Sequence, residues 1–379
     1  MAQIGIDASR ALTAQRTGTE HYSAALIYAM SLLDEARSLD VTLYVNAPLG
    51  EAGERLGFPL PASWGIRAIP FPRLWTHLRL SREMALNGLS TLFVPSHVVP
   101  LWHPRNTVVT IHDLGYLYYP QAHSRRSRLY LHLSTIFSVR AARRVIAISE
   151  ATRRDLISKY RVPPRKIRVI YHGRDNVFRP VADQTTIRRT AEQYGVTQPY
   201  CIHVGTLQPR KNLGLLVDAW AEMRSRGQEP PQLLLAGKRG WLYDELISSV
   251  EARGLGGLIK FADYVQREDL PALYSGALAL TFPSLYEGFG LPALEAMSCG
   301  TPVLAANASS LPEVVGNAGI LLDPHHHEPW ADAVIRIRDD QTLRDELSGR
   351  GLRRAAAFTW EKCARETLGV LLERGKKRS

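Results

Sequence analysis

Apolar residues fall in two rhythms along this chain: short β-branched runs alternate with longer stretches whose apolar positions recur every three or four residues. The short runs predict strands at Gln3–Asp7, Val41–Val45, Thr91–Val94, Thr107–Ile111, Arg144–Ile148 and Arg168–Tyr171. A charged, turn-rich stretch (Arg174–Gln184) and a short helical one follow, and then the rhythm restarts. The second series predicts strands at Tyr200–Val204, Gln232–Ala236, Leu258–Phe261, Leu278–Phe282, Pro302–Ala305 and Gly319–Leu322. Among the longer stretches, Asn212–Arg226 sets Leu213, Leu216, Val217 and Trp220 on one helical face. Strands alternating with helices dictate parallel sheets covered on both sides. Two such series predict an α/β chain of two doubly wound domains, with the boundary near 175–195. Open α/β sheets bind ligands beyond the carboxyl ends of their strands. A cleft between the domains is therefore expected, with its motifs just after strands.

Composition narrows the class. The chain has 379 residues, 45% apolar and 22% charged, an ordinary globular balance at a length suited to two domains. Cys201, Cys299 and Cys363 are odd in number and far apart, which argues against a disulfide framework or structural zinc and fits a reducing cytoplasm. No apolar run approaches the ~20 residues of a membrane span. The opening MAQIGIDASR lacks the regions of a signal peptide, so a cytoplasmic protein is expected. The net charge of +11 is unevenly placed. Residues 1–180 carry 24 Lys and Arg against 12 Asp and Glu, whereas residues 181–379 carry 23 against 24. That asymmetry points the first domain toward an anionic membrane surface or a phosphorylated substrate, or else is a solvated basic face. No zinc-finger spacing, RNP-like strand or repeated basic helix supports nucleic acid. The basic tail at 375–379 reads as solvated.

Three segments carry candidate chemistry. In Thr281–Val303 a strand ends, a loop bearing Gly288 and Gly290 follows, and a helix starts near Leu291–Pro292. Proline suits a first helical turn, and helix-start N–H groups receive anions. Glu287 in the loop and Glu295 about one turn into the helix can face one ligand. Ionised carboxylates only accept hydrogen bonds, so the two suit paired sugar hydroxyls. In His203–Leu213 a strand again runs through a glycine loop into a helix, with Arg210 and Lys211 just before it. Fixed cations at a helix start make a diphosphate site. In Thr110–Leu114, His112 ends a strand and suits a substrate hydroxyl or phosphate, and equally a structural role. Thr17-Gly18-Thr19 offers a weak phosphate turn, and Gly237–Gly240 brings Lys238 and Arg239 within reach of a phosphate or base. There is no Asp-x-Asp, and His325–His327 read as exposed loop residues, so no metal site is expected.

These segments, in this order, resemble the retaining GT-B glycosyltransferases of family 4, the glycosyltransferase group 1 proteins. Glu287 and Glu295 match the family's Glu-x7-Glu motif, and the surrounding GluGlyPheGlyLeuPro and CysGlyThrProVal look typical of it. So do GlyThrLeuGlnProArgLysAsn from Gly205, the run 261–265, IleSerGluAlaThrArgArgAspLeu at 148–156 and the run 358–367. The resemblance implies an acceptor-binding domain over 1–180, a donor-binding domain over 181–359, and a final helix at about 360–374 returning to the first domain. It implies that Arg210 and Lys211 hold the donor diphosphate and that Glu287 binds the sugar, with Thr206 in the phosphate loop. Phe289, Gly290 and Leu291 would offer backbone N–H groups, and Glu295 would bind the ribose. The backbone near Val265, with Lys238 or Arg239, would frame the base; His112 would reach the donor sugar and Gly18 would lie against the diphosphate. The implied activity is hexosyl transfer, of mannose or glucose type, from a nucleoside-diphosphate sugar to a sugar or lipid-linked acceptor. No cofactor or metal is expected, and the setting is cell-surface polysaccharide or glycolipid synthesis at the inner face of a membrane. An epimerase or phosphorylase of the same architecture and a non-catalytic sugar-nucleotide binder are the alternatives. A dehydrogenase is not supported, since no Gly-x-Gly-x-x-Gly follows the first strand.

Overall fold

The computed structural model describes residues 3–13 and 18–373, so Thr17 and the basic tail at 375–379 lie outside the described residues. Thirteen strands are seen among those residues. The first seven are β1 (Gln3–Asp7), β2 (Asp40–Val45), β3 (Trp64–Ala68), β4 (Thr91–Val94), β5 (Asn106–Ile111), β6 (Arg144–Ala147) and β7 (Ile167–Val169). They form one parallel sheet in the order β3-β2-β1-β4-β5-β6-β7. The other six are β8 (Tyr200–Val204), β9 (Gln232–Ala236), β10 (Ile259–Ala262), β11 (Ala279–Phe282), β12 (Val303–Ala306) and β13 (Ile320–Leu322). Their order is β10-β9-β8-β11-β12-β13, again parallel. Both sheets reverse direction beside their first strand, the doubly wound arrangement whose crevice takes the ligand. The central strands β4, β11 and β12 are buried at every position, as parallel strands covered on both faces must be.

The sequence pattern misses β3. Its residues, WGIRA, include a glycine and an exposed-leaning arginine, and the strand pairs only with β2 at the sheet edge. It is held by register with β2 and by Trp64, whose indole N–H donates to the Ala36 carbonyl at 3.0 Å. That pairing gives no local apolar signal.

The chain forms two compact units, one running to Gly173 and resuming at Thr359, the other spanning Arg174–Phe358. The division falls a few residues before position 180. Phe178 is fully buried in the second unit, with its ring 6.1 Å from Tyr274 and the Arg267 guanidinium 5.1 Å above it. The helix Trp360–Leu372 packs in the first unit. Thr359 caps it by accepting from the Lys362 N–H, and Cys363, Ala364, Leu368 and Leu371 enter a core with Ile4, Ile6 and Ile27. Past its end, Glu373 pairs with Arg144 at 2.7 Å and Arg168 at 3.4 Å. All three cysteines are buried and free.

Candidate active site

In the second unit the crevice lies between β8 and β11. Gly205 and Gly237, which follow β8 and β9, have φ of +151° and +150°. A Cβ on Gly237 would stand 2.0 Å from the Gly205 carbonyl oxygen, so only glycine lets the two loops touch. The helix expected from Asn212 is preceded by a tight turn, Pro209–Lys211, and Asn212 takes a left-handed conformation before the helix Leu213–Ser225. This turn aims Lys211 inward, leaving it only 6% exposed. Its ammonium lies 2.5 Å from Oε1 of Glu287 and 4.9 Å from the Phe282 ring centroid. The Arg210 guanidinium stands 3.3 Å from the other Glu287 oxygen and donates to the Tyr286 carbonyl, while the Leu285 N–H donates back to the Arg210 carbonyl. Residues 76 positions apart in sequence are thus laced into one charged cluster.

The electrostatics of Glu287 follow from that lacing. Burial pushes its pKa up, but the charges of Lys211 and Arg210 and the lysine hydrogen bond outweigh it and bring the pKa down to about 2. Below Lys211 sits His203, fully buried and stacked on Phe282. Its Nδ1 lies 3.0 Å from the Thr281 carbonyl, which can only accept, so the proton is on Nδ1. Nε2 is then a bare lone pair, with no hydrogen-bond partner. Burial and the Lys211 charge lower the His203 pKa to about 3.

The loop after Glu287 is shaped by residues outside the motif. Ser310 Oγ, fully buried, shares its one proton between the carbonyls of Glu287 and Phe289, at 3.0 and 2.8 Å, and Ser309 Oγ donates to the Glu287 carbonyl at 2.7 Å. Gly290, at φ +105°, then starts the helix Leu291–Ser298 with Pro292 in its first turn. A Cβ there would strike the Leu311 side chain at 2.7 Å. Phe289 is buried against Phe358. Glu295, one turn into the helix and half-buried, accepts from Tyr274 Oη at 3.3 Å. Thr206 and Lys238 are exposed. Arg239 is engaged by Asp263 through two hydrogen bonds of 2.7 and 3.1 Å, and Val265 is buried beyond β10. The expected set therefore contains one directly bonded cluster, Arg210, Lys211 and Glu287, beside the glycine-led helix start. Arg239 and Glu295 hold other partners.

In the first unit His112 is buried at the end of β5. Its Nε2 donates to the Pro95 carbonyl at 2.8 Å, its backbone N–H donates to His97 Nε2 at 3.3 Å, and its ring meets Tyr22 edge-on at 4.8 Å. Burial first, then the neighbouring His97, lower its pKa to about 4, so the ring is neutral at pH 7. Gly18 begins the helix Gly18–Leu32 with open space where a Cβ would stand. Between the ends of β1 and β4 opens a cavity of about 470 Å³ lined by Asp7, Ser9, Glu20, Ser96, His97 and Asp113, among others. Of these six only Asp113 lies in a candidate segment, Thr110–Leu114, where His112 is the residue singled out; the strand-terminal Asp7, followed by Ala8 and Ser9, reads as a turn in the sequence. Ser309, Ser310 and His203 are equally silent, although His203 leaves a signal in being a polar residue within an otherwise apolar strand. Among the described residues no three His, Cys, Asp or Glu side chains gather as metal ligands, and no helix is long and apolar enough to cross a membrane.

Family models match both units: Glycosyltransferase Family 4 over residues 26–177 and Glycosyl transferases group 1 over residues 185–354. An O-antigen chain mannosyltransferase B of Escherichia coli is 35% identical over 265 residues, 69% of each chain. Sucrose-phosphate synthase from Thermosynechococcus elongatus superposes with a TM-score of 0.74 at 23% identity, covering 98% of both chains. The Anabaena protein HepE in complex with UDP-glucose superposes with a TM-score of 0.70 at 20% identity, covering 98% of this chain and all of the other. The architecture is GT-B, and the chain belongs to the family 4, group 1 glycosyltransferases.

Proposed function

We propose that this glycosyltransferase moves a hexose, of mannose or glucose type, from a nucleoside-diphosphate donor to a glycan or lipid-linked acceptor with retention of configuration, in the synthesis of a cell-surface polysaccharide or glycolipid. One observation carries the reading: the buried Lys211–Glu287 pair flanked by Arg210 at the crevice of the second sheet. The mannosyltransferase relative supports the sugar and the setting, and the HepE complex supports a nucleotide-sugar donor.

The departing nucleoside diphosphate develops negative charge as the sugar–oxygen bond breaks. Lys211, Arg210 and the N-terminal dipole of the helix Leu291–Ser298 supply the compensating charge. Glu287, kept ionised by both cations, accepts from donor-sugar hydroxyls. Glu295 takes the ribose, and Thr206, the Phe289–Leu291 backbone, Lys238 and the Val265 region frame phosphates and base. The family resemblance also assigns His112 and Gly18 to the donor. The acceptor oxygen attacks the face from which the diphosphate leaves: the new glycosidic bond forms, the old one breaks, and the acceptor proton passes to the departing phosphate oxygen. No metal is assigned in this scheme. The basic first half supports action on the cytoplasmic side of a membrane, against an anionic surface.

Calorimetric titration of GDP and UDP in EDTA, with Lys211→Ala as control, tests the reading. Micromolar binding of one nucleotide, lost in the variant, is the expected result. Binding that is unchanged in Lys211→Ala, or that needs a divalent ion, would overturn the assignment of these cations.

A further inference from the structure

The charge of the first unit and the charge of its cavity have opposite signs. Residues 1–180 are strongly basic, yet the cavity at the carboxyl ends of β1 and β4 is acidic. Asp7, Glu20 and Asp113 line it, and Arg10 is the one Arg or Lys among the described lining residues. Arg10 stands 3.4 Å from Glu20, is largely exposed and also acts on Asp7, whose pKa burial raises, so among the described lining residues one such cation faces three carboxyl groups. Two of the three lining histidines, His97 and His77, do not make up the difference. Burial lowers the pKa of His97 and of His77, which keeps both rings neutral at pH 7. Asp7 is 2% exposed and its carboxylate takes two hydrogen bonds from Ser9, at 3.0 and 2.6 Å. Trp75 and Tyr116 give the cavity apolar walls.

An ionised carboxylate can only accept, so it needs a ligand that donates. Sugar hydroxyls donate, and aromatic walls suit the C–H faces of a pyranose. A phosphate at pH 7 brings acceptors and a like charge, which a site with more carboxyl groups than Arg or Lys among its described lining residues repels. Resting on the glycosyltransferase reading above, we propose that this cavity holds an uncharged sugar, the end of a neutral glycan acceptor, and that it discriminates against a phosphorylated sugar at that position. The basic residues of the unit then serve a different contact from the acceptor sugar itself.

The test compares methyl α-mannoside and α-linked mannobiose with mannose 6-phosphate, as ligands of the full chain, by saturation-transfer NMR and competition. GDP and UDP binding is followed in the same samples. The expected result is binding of the neutral sugars at least tenfold tighter than mannose 6-phosphate. Asp113→Asn should weaken neutral-sugar binding about tenfold and narrow the discrimination, with nucleotide affinity and thermal midpoint unchanged. Ser96→Trp, which fills the cavity, should abolish sugar binding in the same selective way. Tighter binding of mannose 6-phosphate, absence of sugar binding with nucleotide binding intact, or indifference to both variants would overturn this inference alone. Absence of nucleotide binding in the wild type would strike the donor reading on which it rests.

Discussion

Lys211 holds its charge in a place where an unpaired ammonium would be expensive, and Glu287 is what makes that tolerable. Breaking a buried ion pair by removing one partner costs about 3 kcal/mol or more, because the other charge is left without compensation. Glu287→Gln should therefore destabilise the second unit by that order at pH 7, measured by denaturant unfolding followed at Trp220 and Trp330. The pH dependence has a definite sign. The folded pKa of about 2 lies below the ordinary 4.5, so the contribution of Glu287 is complete above pH 4.5 and is lost as pH falls through 2. The gap between wild type and Glu287→Gln should close across that window; a constant gap would mean that the carboxylate does not titrate with the pair. His203 makes a second residue-scale prediction. Its bare Nε2 and the Lys211 ammonium both lie within about 3.5 Å of the point where a Gly205 Cβ would stand. Under the proposed function, in which Lys211 holds the donor diphosphate, this lone pair is a neighbour of the ammonium that does so. His203→Phe preserves the stack on Phe282 but removes the lone pair, and should weaken nucleoside-diphosphate affinity about tenfold while leaving monophosphate affinity unchanged. His203→Gln should recover part of the loss. Equal effects on both nucleotides would assign His203 to packing only.

The loop from Glu287 to Gly290 is held by elements rather than by its own sequence. Ser310, at the start of the segment after β12, turns two of its carbonyls inward and so fixes which way the following N–H groups point. Ser310→Ala takes the hydroxyl away from the Phe289 carbonyl, while Ser309 still donates to that of Glu287, at a cost of about 1–3 kcal/mol. The expected signature is a donor KM raised about tenfold with acceptor KM unchanged, and rescue by Ser310→Thr would separate the hydrogen bond from packing. This brace also marks the limit of what the sequence discloses. Arg210, Lys211, Glu287 and Gly290 are legible because each belongs to a strand–loop–helix run whose chemistry is local. The bonds from Ser309 and Ser310 span 21 to 23 residues, and nothing near them announces the partner. The same holds for β3, an edge strand defined by its register with β2, and for Asp7, whose place in a cavity depends on β4 arriving beside β1. Twelve of the thirteen strands have local periodicity and are readable; residues that act through topology are not.

At the scale of the whole molecule, the excess of positive charge in the first half has to be reconciled with an acidic cavity in the same unit. The helix Arg125–Ala141 shows where the charge goes. Arg125, Arg126 and Arg128 are exposed at its start, Leu129 and Leu133 are 59% and 55% exposed further along, and Tyr130 beside them reaches His77 at 3.0 Å. Trp102 is 70% exposed in the loop after β4. Bases with exposed aliphatic and aromatic side chains among them suit the headgroup region of an anionic leaflet, where each Lys or Arg contributes about 1 kcal/mol near the surface. The full chain should sediment with vesicles containing anionic lipid at low salt and be released at high salt, because the attraction is screened within a Debye length. Arg126→Glu with Arg128→Glu reverses two charges far from the Lys211 cluster in sequence and outside the acidic cavity lining. That pair should lower vesicle affinity at least tenfold while nucleotide binding stays as in wild type. Trp102→Ala should lower the salt-resistant part of the binding instead, since it removes apolar contact rather than charge. Equal binding to neutral and anionic vesicles, or no loss in the double variant, would retire the membrane reading and return the basic face to solvent.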